Sequence, residues 1–296
     1  MNRISPRVDV AFKKIFGVEE NKDLLISLIN SIVSNEDQVV DLTLLNPYNP
    51  QNFYRDKLSV LDIKAKGIDG KRFNIEIQIS DEADYDKRAL YYWAKLYTEQ
   101  LRVAEDYSLL SKAIGIHILN FVSIPDAAKY HNVFHITEKD SGLLYFKDLE
   151  LHTIELKKFA DNSNEELSDI LTKVKNSLDV WLAFLTRNDL LKTDNLPKIL
   201  DNPELKKAIN VLEVMNFTDA EREAYEEHLK WLRIEANTLK KYGEKAKAEG
   251  REEGRAEGEI KKAIEIAKKM LAKRKTIEEI MEFTDLPLAE IEKLKS

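Results

Sequence analysis

The sequence predicts an α/β (α+β) chain: a mixed sheet flanked by helices, followed by an all-helical C-terminal region. Three observations carry this. Residues 58–80, LSVLDIKAKGIDGKRFNIEIQIS, read as one β-hairpin, with alternating arms around Asp69-Gly70, the strongest short-range hairpin signal. Residues 113–121, AIGIHILNF, are apolar enough for a buried strand. From 164 onward apolar residues recur at helical spacing and strand patterns stop.

Taken in order, residues 3–16 start with Ser5-Pro6 and place Val8, Phe12, Ile15 and Phe16 on one helical face. A second amphipathic helix over 22–33 follows, then an extended VVDLTLL and a loop over 46–56 containing Pro47 and Pro50. After the hairpin a long aromatic helix is expected over 83–107, with Leu90, Trp93, Ala94 and Tyr97 at core spacing. VFHITEK, an Asp140-Ser141-Gly142 turn and LLYFKDLELHTIEL read as further strands. The five histidines show no metal spacing, and His117 reads as a buried structural residue. His131 and His135 fall on or beside a strand, where an interval of four does not build a site on one helical face.

Beyond 234, Gly250, Gly254 and Gly258 recur every four residues in a charged stretch. Glycine costs about 1 kcal/mol against alanine in a helix, so a marginal helix or a linker is expected there. Three short helical patterns close the chain, at 260–273, 276–283 and 287–294, and Thr276 with Glu279 forms a capping-box start. The arrangement resembles a helix-turn-helix, but the would-be reading helix, LAEIEKLK, is rich in acid where base and phosphate contacts need Arg, Lys, Asn or Gln. A dimerisation or targeting module is the better reading. The domain organisation expected is 1–160 as a sheet-containing core, 161–233 as a helical subdomain, and 234–296 as a charged glycine-containing helix or linker with a small helical module.

The hairpin register carries the chemistry. A two-residue Asp69-Gly70 loop would set Asp62 opposite Ile77. A three-residue loop, Ile68-Asp69-Gly70 with the glycine left-handed, sets Asp62 opposite Glu76 and keeps Leu61 and Ile63 on the face of Ile75 and Ile77. A one-residue slip would turn one arm inside out, so the three-residue loop is predicted. Directly opposed residues have β-carbons about 4.5–5.5 Å apart, and two carboxylates there repel. A divalent cation compensates such a pair, since Mg²⁺ takes one or two carboxylates plus water and phosphate. A solvated sheet face carrying ordinary acids is the other reading.

Composition sets the outer bounds. Of 296 residues, 43% are hydrophobic, ample for a core, and 33% are charged. There is no cysteine, which excludes disulfides and thiolate chemistry. No apolar run approaches the roughly 20 residues of a membrane span, and the opening MNRISPRVDV lacks a signal-peptide core. A cytoplasmic protein without a membrane partner is expected. The net charge of −7 lacks the basic footprint of a nucleic-acid binder. Its distribution is uneven: about −7 over 161–229, about +7 over 230–275 and about −4 over the last twenty or so residues, which suggests regions with different partners.

An aspartate, a hairpin and then Glu-x-Gln on the next strand resembles the PD-(D/E)XK nuclease superfamily in its variant with Gln in place of Lys. SPRVDVAFKKIFG at 5–17, LDIKAKGIDGKRFNIEIQ at 61–78, KRALYYWAKLYTEQL at 87–101 and the tail at 248–295 resemble one branch of it, the Rpn recombination-promoting nucleases, also described as transposases. The resemblance implies a restriction-endonuclease-like core and a Mg²⁺-dependent (or Mn²⁺-dependent) DNA endonuclease whose breaks promote recombination in mobile-element or phage-defence settings. It makes Asp62, Glu76 and Gln78 the catalytic set, with Asp62 and Glu76 on the metal. Asp9, from the first helix, is a further metal candidate; a surface ion pair with Lys13, one turn away, is its other reading. Arg88 is a candidate for the scissile phosphate, with Lys57, Lys64 and Tyr92 as further substrate contacts. Gln78 is neutral and is a candidate to orient the attacking water or a phosphate oxygen, with Lys13, Lys64 and Arg88 as candidate substitutes for the charge that lysine supplies in relatives. DNA and a second copy, through the C-terminal helices, are the expected partners. The alternative is a non-catalytic oligomerising or DNA-tethering protein acting through its helical tail. An RNA-directed nuclease would share the same site.

Overall fold

The computed structural model describes residues 4–47, 62–82, 84–160, 165–213 and 217–294. The chain divides into two compact units, Met1–Leu229 and Lys230–Ser296.

The first unit opens with α1 (Asp9–Phe16) and α2 (Lys22–Ile32). α1 starts later than Ser5-Pro6 suggests. The Ser5 carbonyl instead closes a turn with the Val8 N–H, and Val8 is the N-cap. Both helices bury an apolar stripe, including Phe12, Phe16, Leu25 and Leu28. Six strands follow: β1 (Leu42–Leu44), β2 (Asp62–Gly67), β3 (Arg72–Gln78), β4 (Ala113–Leu119), β5 (His131–Thr137) and β6 (Leu144–Glu155). Their spatial order is β1-β2-β3-β4-β6-β5. β3–β4 and β4–β6 pair in parallel and the other three pairs are antiparallel, so the sheet is mixed. β4 is buried along its whole length, as a central parallel strand with both faces covered must be.

The hairpin between β2 and β3 has the three-residue loop. The Gly67 N–H bonds the Lys71 carbonyl, Gly70 sits at φ 92°, and Asp62 pairs with Glu76. Ile63, Ala65, Phe73, Ile75 and Ile77 all enter the core shared with α1 and α2.

The crossover helix between the parallel strands is α3 (Tyr85–Thr98), shorter than the expected 83–107. Beyond Thr98 there is no apolar stripe to bury: Val103 is fully exposed, Tyr107 nearly so, and Ala104 takes a left-handed turn. Trp93 is buried against Ala113 and Leu149, but Leu90, expected in the core, is half exposed because it faces away from the sheet. Helices α4 (Leu156–Phe159), α5 (Leu167–Lys173), α6 (Ser177–Arg187) and α7 (Pro203–Val211) complete the unit. Their buried residues, among them Trp181, Phe184 and Leu205, join the same core as the sheet's apolar face.

α8 (Asp219–Ala272) starts in the first unit and runs into the second. It passes without a break through Gly250, Gly254 and Gly258, the stretch read as marginal helix or linker. In the second unit its last turns bury Ala267 with Ile280 of α9 (Ile277–Thr284), Ile291 of α10 (Leu288–Lys293) and Leu286 between them. The Thr276/Glu279 capping box is present. Among the described residues no helix is long and apolar enough to cross a membrane.

Candidate active site

The polar face of the hairpin is not solvated. Asp62 is 5% exposed, Glu76 1% and Gln78 5%, which removes the reading of a wet sheet face carrying ordinary acids. α3 covers this face, its Arg88 and Tyr85 reaching down to β3 and β4. Burying two opposed carboxylates is costly unless charge or hydrogen bonds compensate.

Asp9, on α1, closes the group from the side. It is buried and pairs with Lys13 at 3.1 Å. Burial raises its pKa, Lys13 pulls it down, and the charges of Asp62 and Glu76 push it up again, so the three carboxylates feel one another. The same forces act on Asp62: burial raises it, Lys64 lowers it and Glu76 raises it. Among the described residues each of the three has one oxygen with no hydrogen-bond partner: Asp9 Oδ1, Asp62 Oδ2 and Glu76 Oε2. Among the described residues no three His, Asp or Glu side chains are already gathered into a metal cage.

Around the carboxylates the hydrogen bonds converge on Arg88. Its Nη2 donates to Gln78 Oε1 at 2.7 Å and to Glu76 Oε1 at 3.2 Å, while Nη1 donates to Glu82. Gln78 Nε2 donates in turn to the Ser80 carbonyl and to Glu82. The Gln78 amide is thus fully used in holding Arg88 and the turn after β3.

The expected substrate contacts divide. Arg88 meets the carboxylates, and Lys64 lies across from Asn74 at the rim with Glu99 at 3.7 Å. Tyr92 is half-buried beside Tyr91 and joins none of the site's hydrogen bonds. Lys57 lies outside the described residues. Sequence reasoning missed Tyr85, Glu82 and His117. His117 is buried, as expected, but it stands opposite Glu76 in the parallel register. Tyr85 had a signal, three residues before Arg88 on the same helical face. The partner of His117 had none, because strand alignment across a crossover is invisible in one sequence.

A family model described as PD-(D/E)XK nuclease family transposase matches residues 6–242. The chain belongs to this family. The match contains Asp9, the whole sheet and the start of α8. No curated protein and no solved structure matches the chain. The mixed sheet with flanking helices is the fold that membership implies, and a nuclease-type function comes with it. PD-(D/E)XK nucleases generally use divalent metal ions. The three partnerless carboxylate oxygens of Asp9, Asp62 and Glu76 are the donor chemistry such an ion takes.

Proposed function

We propose that this protein is a Mg²⁺-dependent DNA endonuclease that hydrolyses phosphodiester bonds, producing breaks that promote recombination or serve mobile-element or phage-defence processes. The observation that supports it most is the set of three buried carboxylates, each with an oxygen that no described residue hydrogen-bonds. Asp62 and Glu76 would hold the cation, Mn²⁺ substituting for Mg²⁺, with Asp9 as third acid. When bound, the ion supplies Lewis-acid activation of the scissile phosphate and of the attacking water.

The chain's own groups do the rest. Lys13, tied to Asp9, and Arg88, tied to Glu76, put positive charge on two sides of the acids. Gln78 contributes no charge and holds the guanidinium instead. An incoming phosphate would compete with Glu82 for Arg88, exchanging one bond to a half-exposed carboxylate for a bidentate contact. Lys64, at the rim, is placed for the flanking strand. Self-association is assigned to the second unit, where Met281, Phe283 and Leu288 stay exposed on α9 and α10.

The test is cleavage of supercoiled plasmid with Mg²⁺, with EDTA, and by Asp62→Ala and Glu76→Ala proteins shown to be folded. Mg²⁺-dependent nicking or linearisation that both substitutions abolish is the expected result. Equal cleavage by the variants, or none by the wild type, would overturn the proposal and turn attention to the helical tail.

A further inference from the structure

His117 is 2% exposed and lies directly opposite Glu76 on the neighbouring parallel strand. Its Nδ1 is 2.8 Å from the Tyr85 hydroxyl and 3.7 Å from Glu76 Oε2. The second distance is too long for a hydrogen bond, so the ring backs the carboxylate without binding it. Space for the ring comes from Gly115, two residues earlier on the same face: a β-carbon there would sit 3.0 Å from His117 Nε2 and 2.7 Å from Leu151. Burial and the charge of Glu76 push the Tyr85 hydroxyl far up, and it shares one hydrogen bond with Nδ1. The rings meet edge to face, at 5.9 Å.

Tyr85 and Arg88 are three residues apart on α3, hence neighbours on one helical face. Arg88 holds Glu76 Oε1, and the Tyr85–His117 pair stands against Oε2. One turn of one helix therefore attends to both oxygens of the carboxylate.

We propose that His117, oriented by Tyr85, is a positioning residue for Glu76 that keeps Oε2 turned toward the cation. This rests on the metal reading above. Held by its bond to Tyr85, the ring stands beside Oε2 but beyond hydrogen-bond distance, so Oε2 is neither captured by a hydrogen bond nor pressed against hydrocarbon. Groups that orient a metal's ligands typically change metal affinity by about 10–100-fold when replaced.

The experiment is calorimetric titration of the full-length protein with Mn²⁺, for wild type, Asp62→Ala, His117→Leu, His117→Asn, Tyr85→Phe and the Tyr85→Phe/His117→Leu double variant. Circular dichroism and thermal melting check each fold. His117→Leu is expected to weaken Asp62-dependent Mn²⁺ binding by about 10-fold or more. His117→Asn, whose amide keeps a polar hydrogen-bonding partner for the Tyr85 hydroxyl, recovers part of it. The double variant binds no worse than His117→Leu, because two residues acting as one unit are non-additive. If His117→Leu does not fold, Tyr85→Phe, which removes one hydroxyl, decides. Folded His117→Leu and Tyr85→Phe proteins with wild-type affinity would overturn this inference and leave the metal reading standing. Wild-type Mn²⁺ binding that is absent, or that survives Asp62→Ala, would overturn both.

Discussion

Asp62 shows how a functional residue works against the fold that carries it. Burial and Glu76 outweigh the lowering by Lys64, so its pKa lies above the ordinary carboxylate value. An acid whose folded pKa is raised costs stability at every pH above that pKa, and the cost disappears on protonation. Asp62→Asn removes the charge in an isosteric way. It is expected to abolish metal-dependent cleavage and to stabilise the protein by roughly 1 kcal/mol, within the range common for relieved functional strain. Urea denaturation of the two proteins at neutral pH measures it; a less stable Asp62→Asn protein would mean that Lys64 and the backbone bonds outweigh burial. Arg88→Ala is expected to act oppositely. It leaves Glu76 Oε1 and Gln78 Oε1 without a donor in a buried site, which costs about 1–3 kcal/mol for each unsatisfied group.

At the level of elements, the β2–β3 hairpin sets the site because its loop length sets its register. Gly70 is needed there twice over, by its φ of 92° and by Ser111 Oγ, 2.7 Å from where a β-carbon would be. Gly70→Ala is expected to destabilise the first unit by about 1–2 kcal/mol, since alanine is strained at positive φ. A lowered denaturation midpoint with unchanged m-value checks it. This register was legible in advance because only one pairing kept both apolar arms on the same face. The length of α3 was not: the aromatic run reaching Tyr107 carried the expectation past Thr98, where the chain has no apolar stripe to bury. In the second unit, Thr276 caps α9 by accepting from the Glu279 N–H. Thr276→Ala is expected to cost about 1 kcal/mol there, seen as faster amide exchange confined to α9 and α10.

Across the whole molecule, pH reaches the fold through a buried polar cluster remote in sequence from the hairpin. His131 stacks on His152 with ring nitrogens 2.9 Å apart, and His152 bonds Glu150, which also takes Lys112. Burial and the neighbouring His152 bring His131 down from 6.5 to about 4. The unfolded chain then takes up a proton below pH 6.5 that the native state refuses until about pH 4. Stability therefore falls as pH drops through that window. Burial of His228 near Lys13 acts in the same sense. Glu150 opposes burial with hydrogen bonds from His152 and Lys112 that bring it to about 2, so its contribution is lost only at still lower pH. Melting temperatures from pH 7.5 to 5 are expected to fall, and to fall less in His131→Gln; parallel curves for the two proteins would remove His131 as the cause.

The sequence by itself determined the local structure: a hairpin whose apolar alternation admits one register, Asp62 facing Glu76, the Thr276 cap and the buried β4 strand. These are short-range facts, settled by periodicity and turn chemistry within about twenty residues. Only the tertiary structure decided that the hairpin's polar face is buried, that Asp9 joins it from α1, that Gln78 is occupied by Arg88, and that His117 stands behind Glu76. Each of these depends on how strands align across a crossover or how a helix lies on a sheet. Such alignments are fixed by the summed packing of the core, and no single stretch of sequence encodes them.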